Sequence, residues 1–114
     1  MILCVDDDST GLMVRKILLQ RQGYEVITAL SGPESLQLLM AHPVKAVVLD
    51  YAMPGMNGDQ VAAAMKRLKP DVKILLFSAY IDLPEEALKC VDRRAVKGVS
   101  ATSFLEEIQQ LLSC

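Results

Sequence analysis

Val47-Val48-Leu49-Asp50-Tyr51-Ala52-Met53-Pro54-Gly55-Met56-Asn57-Gly58 is the stretch from which the organisation of the chain follows. A short apolar run ends on one carboxylate and then breaks into a Pro/Gly loop. Apolar runs of this length, bounded by turn residues, suit a strand covered on both faces. Pro54, Gly55 and Gly58 continue neither a strand nor a helix, so Asp50 is presented at a rim. In open α/β sheets the C-terminal ends of the strands are where ligands bind. A lone Asp closing a strand is equally a solvated end, so its meaning depends on what closes the other strands.

Working outward from Asp50, the same unit recurs. Ile2-Leu3-Cys4-Val5 is a first buried strand that runs into Asp6-Asp7-Asp8, with Ser9 or Thr10 expected to cap the following helix. Met13, Val14, Ile17 and Leu18 supply that helix with an apolar stripe, and Gly23 ends it. Glu25–Thr28 forms a second strand. Ser31-Gly32-Pro33-Glu34 opens a second helix with Leu36, Leu39 and Met40 at helical spacing, and His42-Pro43 stops it. Beyond Asp50, Asn57–Gln60 opens a third helix carrying Val61, Met65 and Leu68. Val72–Phe77 is a fourth strand ending on Ser78-Ala79-Tyr80, and Asp82–Glu85 starts a fourth helix with Ala87, Leu88 and Val91. Arg93–Val96 is the fifth strand, and Ser100 caps a last helix holding Phe104, Ile108, Leu111 and Leu112.

Five strand–helix alternations with short links make one α/β domain over residues 1–114, a doubly wound parallel sheet covered on both faces. The usual order for such a flavodoxin-like (βα)5 sheet is 2-1-3-4-5, taken from that class of fold and not from these residues. Net charge is −2, which leaves no electrostatic footprint for direct nucleic-acid or anionic-membrane binding. No apolar run approaches the ~20 residues of a membrane span, and no secretion-signal pattern precedes the first strand. The three cysteines are scattered without a CxxC pair, which fits a reducing, cytoplasmic compartment and a core role for Cys4.

Four polar sites thus close buried strands: Asp6/Asp7, Asp50, Ser78 and Lys97. A parallel sheet puts all of them on one edge, and neighbouring strands lie about 4.8 Å apart, so the carboxylates converge. Two ionised carboxylates at ~4 Å repel by about 4 kcal/mol at an effective dielectric near 20. Such a cluster calls for a divalent hard cation, and Mg²⁺ suits few carboxylates and several retained waters. A carboxylate held between such an ion and the Lys97 ammonium can attack a phosphoryl group, with Ser78 placed to hydrogen-bond a phosphoryl oxygen.

Val5-Asp6-Asp7, Asp50-x-x-Met53-Pro54 followed by Met56-x-Gly58, Ser78-Ala79 and Lys97 together resemble the response-regulator receiver domains of two-component signalling, over essentially the whole chain. The resemblance implies that Asp50 is the phosphoacceptor. It implies that Asp6, Asp7, Asp50 and the Ala52 carbonyl hold Mg²⁺ (or Mn²⁺), that Ser78 is the switch hydroxyl and that Lys97 pairs with the phosphate. The implied donor is a histidine kinase or phosphotransfer protein, and the implied output is a partner surface around the fourth helix and fifth strand. The resemblance further implies that the chain is no separate enzyme, its chemistry being confined to phosphoryl transfer to, and slow hydrolysis from, its own Asp50.

Three departures from the family pattern bear on the switch. Gly98 follows Lys97 where a proline, commonly after a cis bond, is usual. Arg94 stands at the usual aromatic position and is expected near the surface, pairing with Asp82, Glu85 or Glu86. The fifth strand is short and charged. Switching is then expected to rest on Ser78 and the loop after it, with Tyr80 following. Two rival readings remain open: a receiver-shaped binding module that is never phosphorylated, and a haloacid-dehalogenase-type phosphatase using Asp6-x-Asp8-x-Thr10.

Overall fold

The computed structural model of the protein describes residues 1–79 and 82–113. Along the described residues β1 (Ile2–Val5), α1 (Ser9–Arg21), β2 (Val26–Ala29), α2 (Gly32–Ala41) and β3 (Ala46–Asp50) follow one another. They are followed by α3 (Gly58–Leu68), β4 (Lys73–Ser78), α4 (Glu85–Leu88), β5 (Arg93–Val96) and α5 (Ala101–Ser113). The strands form one parallel sheet in the order β2-β1-β3-β4-β5, as anticipated. Register aligns Val5 with Leu49, Asp50 with Phe77, and Ser78 with Val96. These pairings bring the residues that end β1, β3, β4 and β5 to one edge.

Alternation along the strands builds two apolar layers, because successive side chains point to opposite faces. Leu3, Val5, Val47, Leu49, Ile74 and Leu76 pack with Leu39, Val61 and Met65 on one face. Ile2, Cys4, Ala46, Val48, Leu75 and Phe77 pack with Leu12, Leu19, Phe104, Ile108 and Leu111 on the other. Cys4 is fully buried, and burial pushes its thiol pKa up to about 12, so it acts as a core hydrophobe.

The helix faces depart from the sequence reading in several places. Helix α1 buries Leu12, Arg15 and Leu19, leaving Met13, Val14 and Ile17 exposed. Apolar residues surround this helix, so hydrophobicity does not select a face; the direction in which the chain leaves β1 does. The cap is Asp8, whose carboxylate accepts the Thr10 N–H at 3.2 Å, and not Ser9 or Thr10. In α2 the buried positions are Gly32, Ser35 and Leu39, while Met40 is exposed; Leu68 of α3 is exposed too. Strand β2 is shifted one residue onward, Glu25 serving instead as the carbonyl that accepts the Ile2 N–H at 2.8 Å. Helix α4 is a single turn that ends before Val91, and only its Ala87 is buried.

Candidate functional site

The three carboxylates converge as the strand ends require. Asp6, Asp7 and Asp50 each offer an oxygen within 4.8 Å of the others. Asp6 and Asp50 are buried, whereas Asp7 faces solvent. Ser78 is buried at the end of β4, next to Phe77, which pairs in register with Asp50. Lys97 is brought in from β5 by its backbone N–H, which donates to the Ser78 carbonyl at 2.7 Å. Its ammonium lies 2.7 Å from Asp50 Oδ1 and 3.3 Å from Asp6 Oδ2. Ala52 sits in the exposed loop two residues beyond Asp50.

Gly58 explains why that loop closes so tightly. Its N–H donates to the Tyr51 carbonyl at 2.6 Å, anchoring the start of α3 against the end of β3. The α3 start is further tied by Gln60, whose side chain accepts the Asn57 N–H at 3.0 Å. Asp50 is therefore held between a rigid strand and a helix start.

The electrostatics separate the two buried acids. Burial raises the Asp6 pKa, but the Asp8 N–H on its Oδ1 (2.9 Å) and the Arg15 and Lys97 cations outweigh it and hold the carboxyl below the usual value. For Asp50, burial raises the pKa, the Lys97 hydrogen bond opposes it, and repulsion from Asp6 and Asp7 adds to the rise, so the net direction is upward. Burial lowers the Lys97 pKa, yet its hydrogen bond and attraction to Asp50, with the Asp6 charge, carry it above the ordinary lysine value. The chain thus holds one carboxylate firmly ionised beside another whose charge is costly. An oxygen-rich cluster with unbalanced negative charge fits a hard divalent cation.

Sequence reasoning missed Arg15. Its guanidinium donates a short hydrogen bond to Asp6 Oδ2 and lies with Cζ 5.0 Å from the centre of the Phe77 ring. The only signal was its position in the helix entered directly from Asp6. Arg94 is exposed as expected, but among the described residues it pairs with none of Asp82, Glu85 and Glu86. Glu86 instead pairs with Lys89 at 3.0 Å. No cis peptide bond occurs among the described residues, and Gly98 has φ +92°, which a proline could not adopt. Tyr80, expected to follow Ser78, lies outside the described residues.

A five-stranded doubly wound domain with an acidic cluster and a lysine at the C-terminal strand edge is of the phosphoacceptor class. Residues 2–113 match the family model described as the response regulator receiver domain, and the chain belongs to that family. Relatives include the transcriptional regulatory protein GlrR of Escherichia coli, 33% identical over 84 residues, covering 74% of this chain and 19% of that protein. PrrA of Mycobacterium tuberculosis is 37% identical over 78 residues, covering 68% of this chain and 34% of that protein. The matched region is thus 19% to 34% of these relatives' length. Among solved structures, the response regulator TrrA of Thermotoga maritima, in complex with Mg²⁺–BeF, is 33% identical with a TM-score of 0.90, covering 96% of both chains. TrrA in complex with the histidine kinase ThkA is 34% identical with a TM-score of 0.89, covering 97% of both.

Proposed function

We propose that Asp50 is the residue that accepts a phosphoryl group, delivered by a histidine kinase or a phosphotransfer protein. The observation that carries this is the placement of Lys97 Nζ 2.7 Å from Asp50 Oδ1 within the carboxylate cluster. An Asp50 oxygen forms the new O–P bond as the donor's N–P bond breaks, and the phosphoryl oxygens come to rest beside the Lys97 ammonium and the Ser78 hydroxyl. Asp6, Asp7, Asp50 and the Ala52 carbonyl would hold Mg²⁺ or Mn²⁺. The bound ion supplies neutralisation of the phosphoryl oxygens. Lys97 orients the Asp50 carboxylate and adds a second positive charge. Slow return of the phosphoryl to water is the only turnover expected.

The kinase complex of TrrA supports a histidine kinase as donor. The transcriptional regulators among the relatives support an output reached through other domains, and a net charge of −2 argues against direct nucleic-acid contact by this one. Free Cys4 and Cys90, and the absence of a helix long and apolar enough to cross a membrane among the described residues, fit the cytoplasm as the place of action. Asp8 is engaged as the α1 cap, which leaves the phosphatase reading without its second acid.

The test is mass spectrometry after acetyl phosphate treatment with and without Mg²⁺. One added phosphoryl that needs the ion and disappears in Asp50→Asn is the expected result. Equal labelling of Asp50→Asn would overturn the assignment, and steady p-nitrophenyl phosphate hydrolysis that survives Asp50→Asn but not Asp6→Asn would restore the phosphatase reading.

A further inference from the structure

Arg15 is a charged residue placed where the fold wants an apolar one. It lies on the buried face of α1 with Leu12 and Leu19 and is only 9% exposed. Burying a guanidinium is costly unless its charge is met, and Asp6 meets it. Among the described residues the Arg15 Nε nevertheless has no hydrogen-bond partner, and the group is held by Asp6 and by the face of Phe77.

The consequence falls on Asp6. Its Oδ1 accepts the Asp8 N–H at 2.9 Å, and its Oδ2 already receives both Arg15 and Lys97. Three carboxylates facing Lys97 alone would leave two net negative charges for a cation; with Arg15 added, one remains. We propose that Arg15 is a positioning residue that contests Asp6 with the divalent ion, so that this pocket is stable without metal and binds it weakly. The inference rests on the metal site proposed above. A cavity of about 340 Å³ adjoins the guanidinium, lined in part by Phe77, Lys97, Val99 and Phe104. It gives the Arg15 side chain a place to move when an ion takes Asp6. Arg15 therefore sets how much Mg²⁺ the chain needs before Asp50 is ready to react.

Isothermal titration of the whole chain with MgCl₂ at fixed ionic strength tests this. Arg15→Met retains length and apolar bulk while removing the charge, and should bind Mg²⁺ about tenfold more tightly than wild type, since a unit charge is removed beside the ion. A general packing defect would weaken binding, so the direction separates the two causes. Arg15→Lys, which keeps a charge with shorter reach, should fall between them. In EDTA, Arg15→Met should melt below wild type, and Mg²⁺ should raise its melting temperature by more than it raises that of wild type. Arg15→Leu takes its place if Met packs poorly. Wild type that binds Mg²⁺ with no gain in either apolar variant overturns the inference and leaves the metal site standing. Failure of both wild type and variants to take up Mg²⁺ overturns the site and the inference together.

Discussion

Gly58 lies so close to the backbone of Asp50 that a Cβ built on it would come within 2.4 Å of the Asp50 carbonyl oxygen and 2.8 Å of Tyr51 Cα. Both obstacles are backbone, so neither can rotate away. Gly58→Ala must push α3 from the end of β3 or move Asp50 itself. The expected cost is about 1–3 kcal/mol, typical of overpacking, read as a lower urea midpoint with unchanged slope. Asp50 labelling by acetyl phosphate should slow in the same variant, because the carboxylate is displaced relative to Lys97. Wild-type stability and labelling in Gly58→Ala would show that the loop accommodates the methyl group.

Asp50 should destabilise the metal-free fold at neutral pH. Its pKa is raised chiefly by burial, with Asp6 and Asp7 adding to the rise. A raised acid favours folding fully below the unfolded value, about 3.9, and loses that contribution as pH rises through the folded pKa. Asp50→Asn removes the charge and keeps the shape. It should melt several degrees above wild type at pH 7 in EDTA, with the gain shrinking below about pH 4. Mg²⁺ should narrow the gap from the wild-type side. Thermal unfolding at the two pH values, with and without the ion, checks this; a lower melting temperature for Asp50→Asn in EDTA at pH 7 would contradict it.

What was legible in the sequence, and what was not, follows the kind of force involved. The apolar runs ending on Asp6, Asp50 and Ser78 define buried parallel strands, and parallel pairing then obliges their ends to share an edge. The helix faces were less legible. Helix α1 carries Leu12, Met13, Val14, Ile17, Leu18 and Leu19 around much of its circumference, so periodicity supports more than one face. The face that is buried contains Arg15, which pattern reading assigns to solvent. Only the tertiary position of Asp6 makes that arginine affordable. Arg15 was thus invisible for the reason that makes it interesting: its partner comes from the strand.

Asp92 should be the acid-sensitive tie at the opposite end of β5. Its Oδ2 accepts the Ile74 N–H and the Lys66 ammonium, each at 2.8 Å, while its own N–H donates to the Ile74 carbonyl at 2.9 Å. Burial would raise its pKa, but the Lys66 and Ile74 hydrogen bonds outweigh it and the net shift is downward. Its contribution is therefore complete above the unfolded value of about 3.9 and is lost as pH falls through the lower folded value. Asp92→Ala leaves the Ile74 N–H without its acceptor and should cost about 1–2 kcal/mol at pH 7. Urea unfolding at pH 7 and pH 3 should show the deficit of the variant shrinking in acid; an equal deficit at both would assign the effect to packing.

Arg94 should be dispensable for both the fold and the response. It is exposed on a short strand whose neighbour Ala95 carries the packing, and it forms no ion pair with Asp82, Glu85 or Glu86 among the described residues. Arg94→Ala is accordingly expected to change stability by no more than about 0.5 kcal/mol. The position matters because relayed switching through a buried side chain needs two packed arrangements of that side chain, and an exposed guanidinium has neither. Ser78 differs: it is buried, and its carbonyl accepts the Lys97 N–H at 2.7 Å. A phosphoryl group on Asp50, carrying about −1.5 to −2 charges, would draw on the Ser78 hydroxyl and the Lys97 ammonium together, pulling the ends of β4 and β5 as one unit. Backbone NMR with beryllofluoride and Mg²⁺ should then show shifts at Ser78, Ala79, Lys97 and Gly98 that persist in Arg94→Ala and shrink in Ser78→Ala. Loss of the response through α4 in Arg94→Ala would make the arginine the transmitting residue and refute this route.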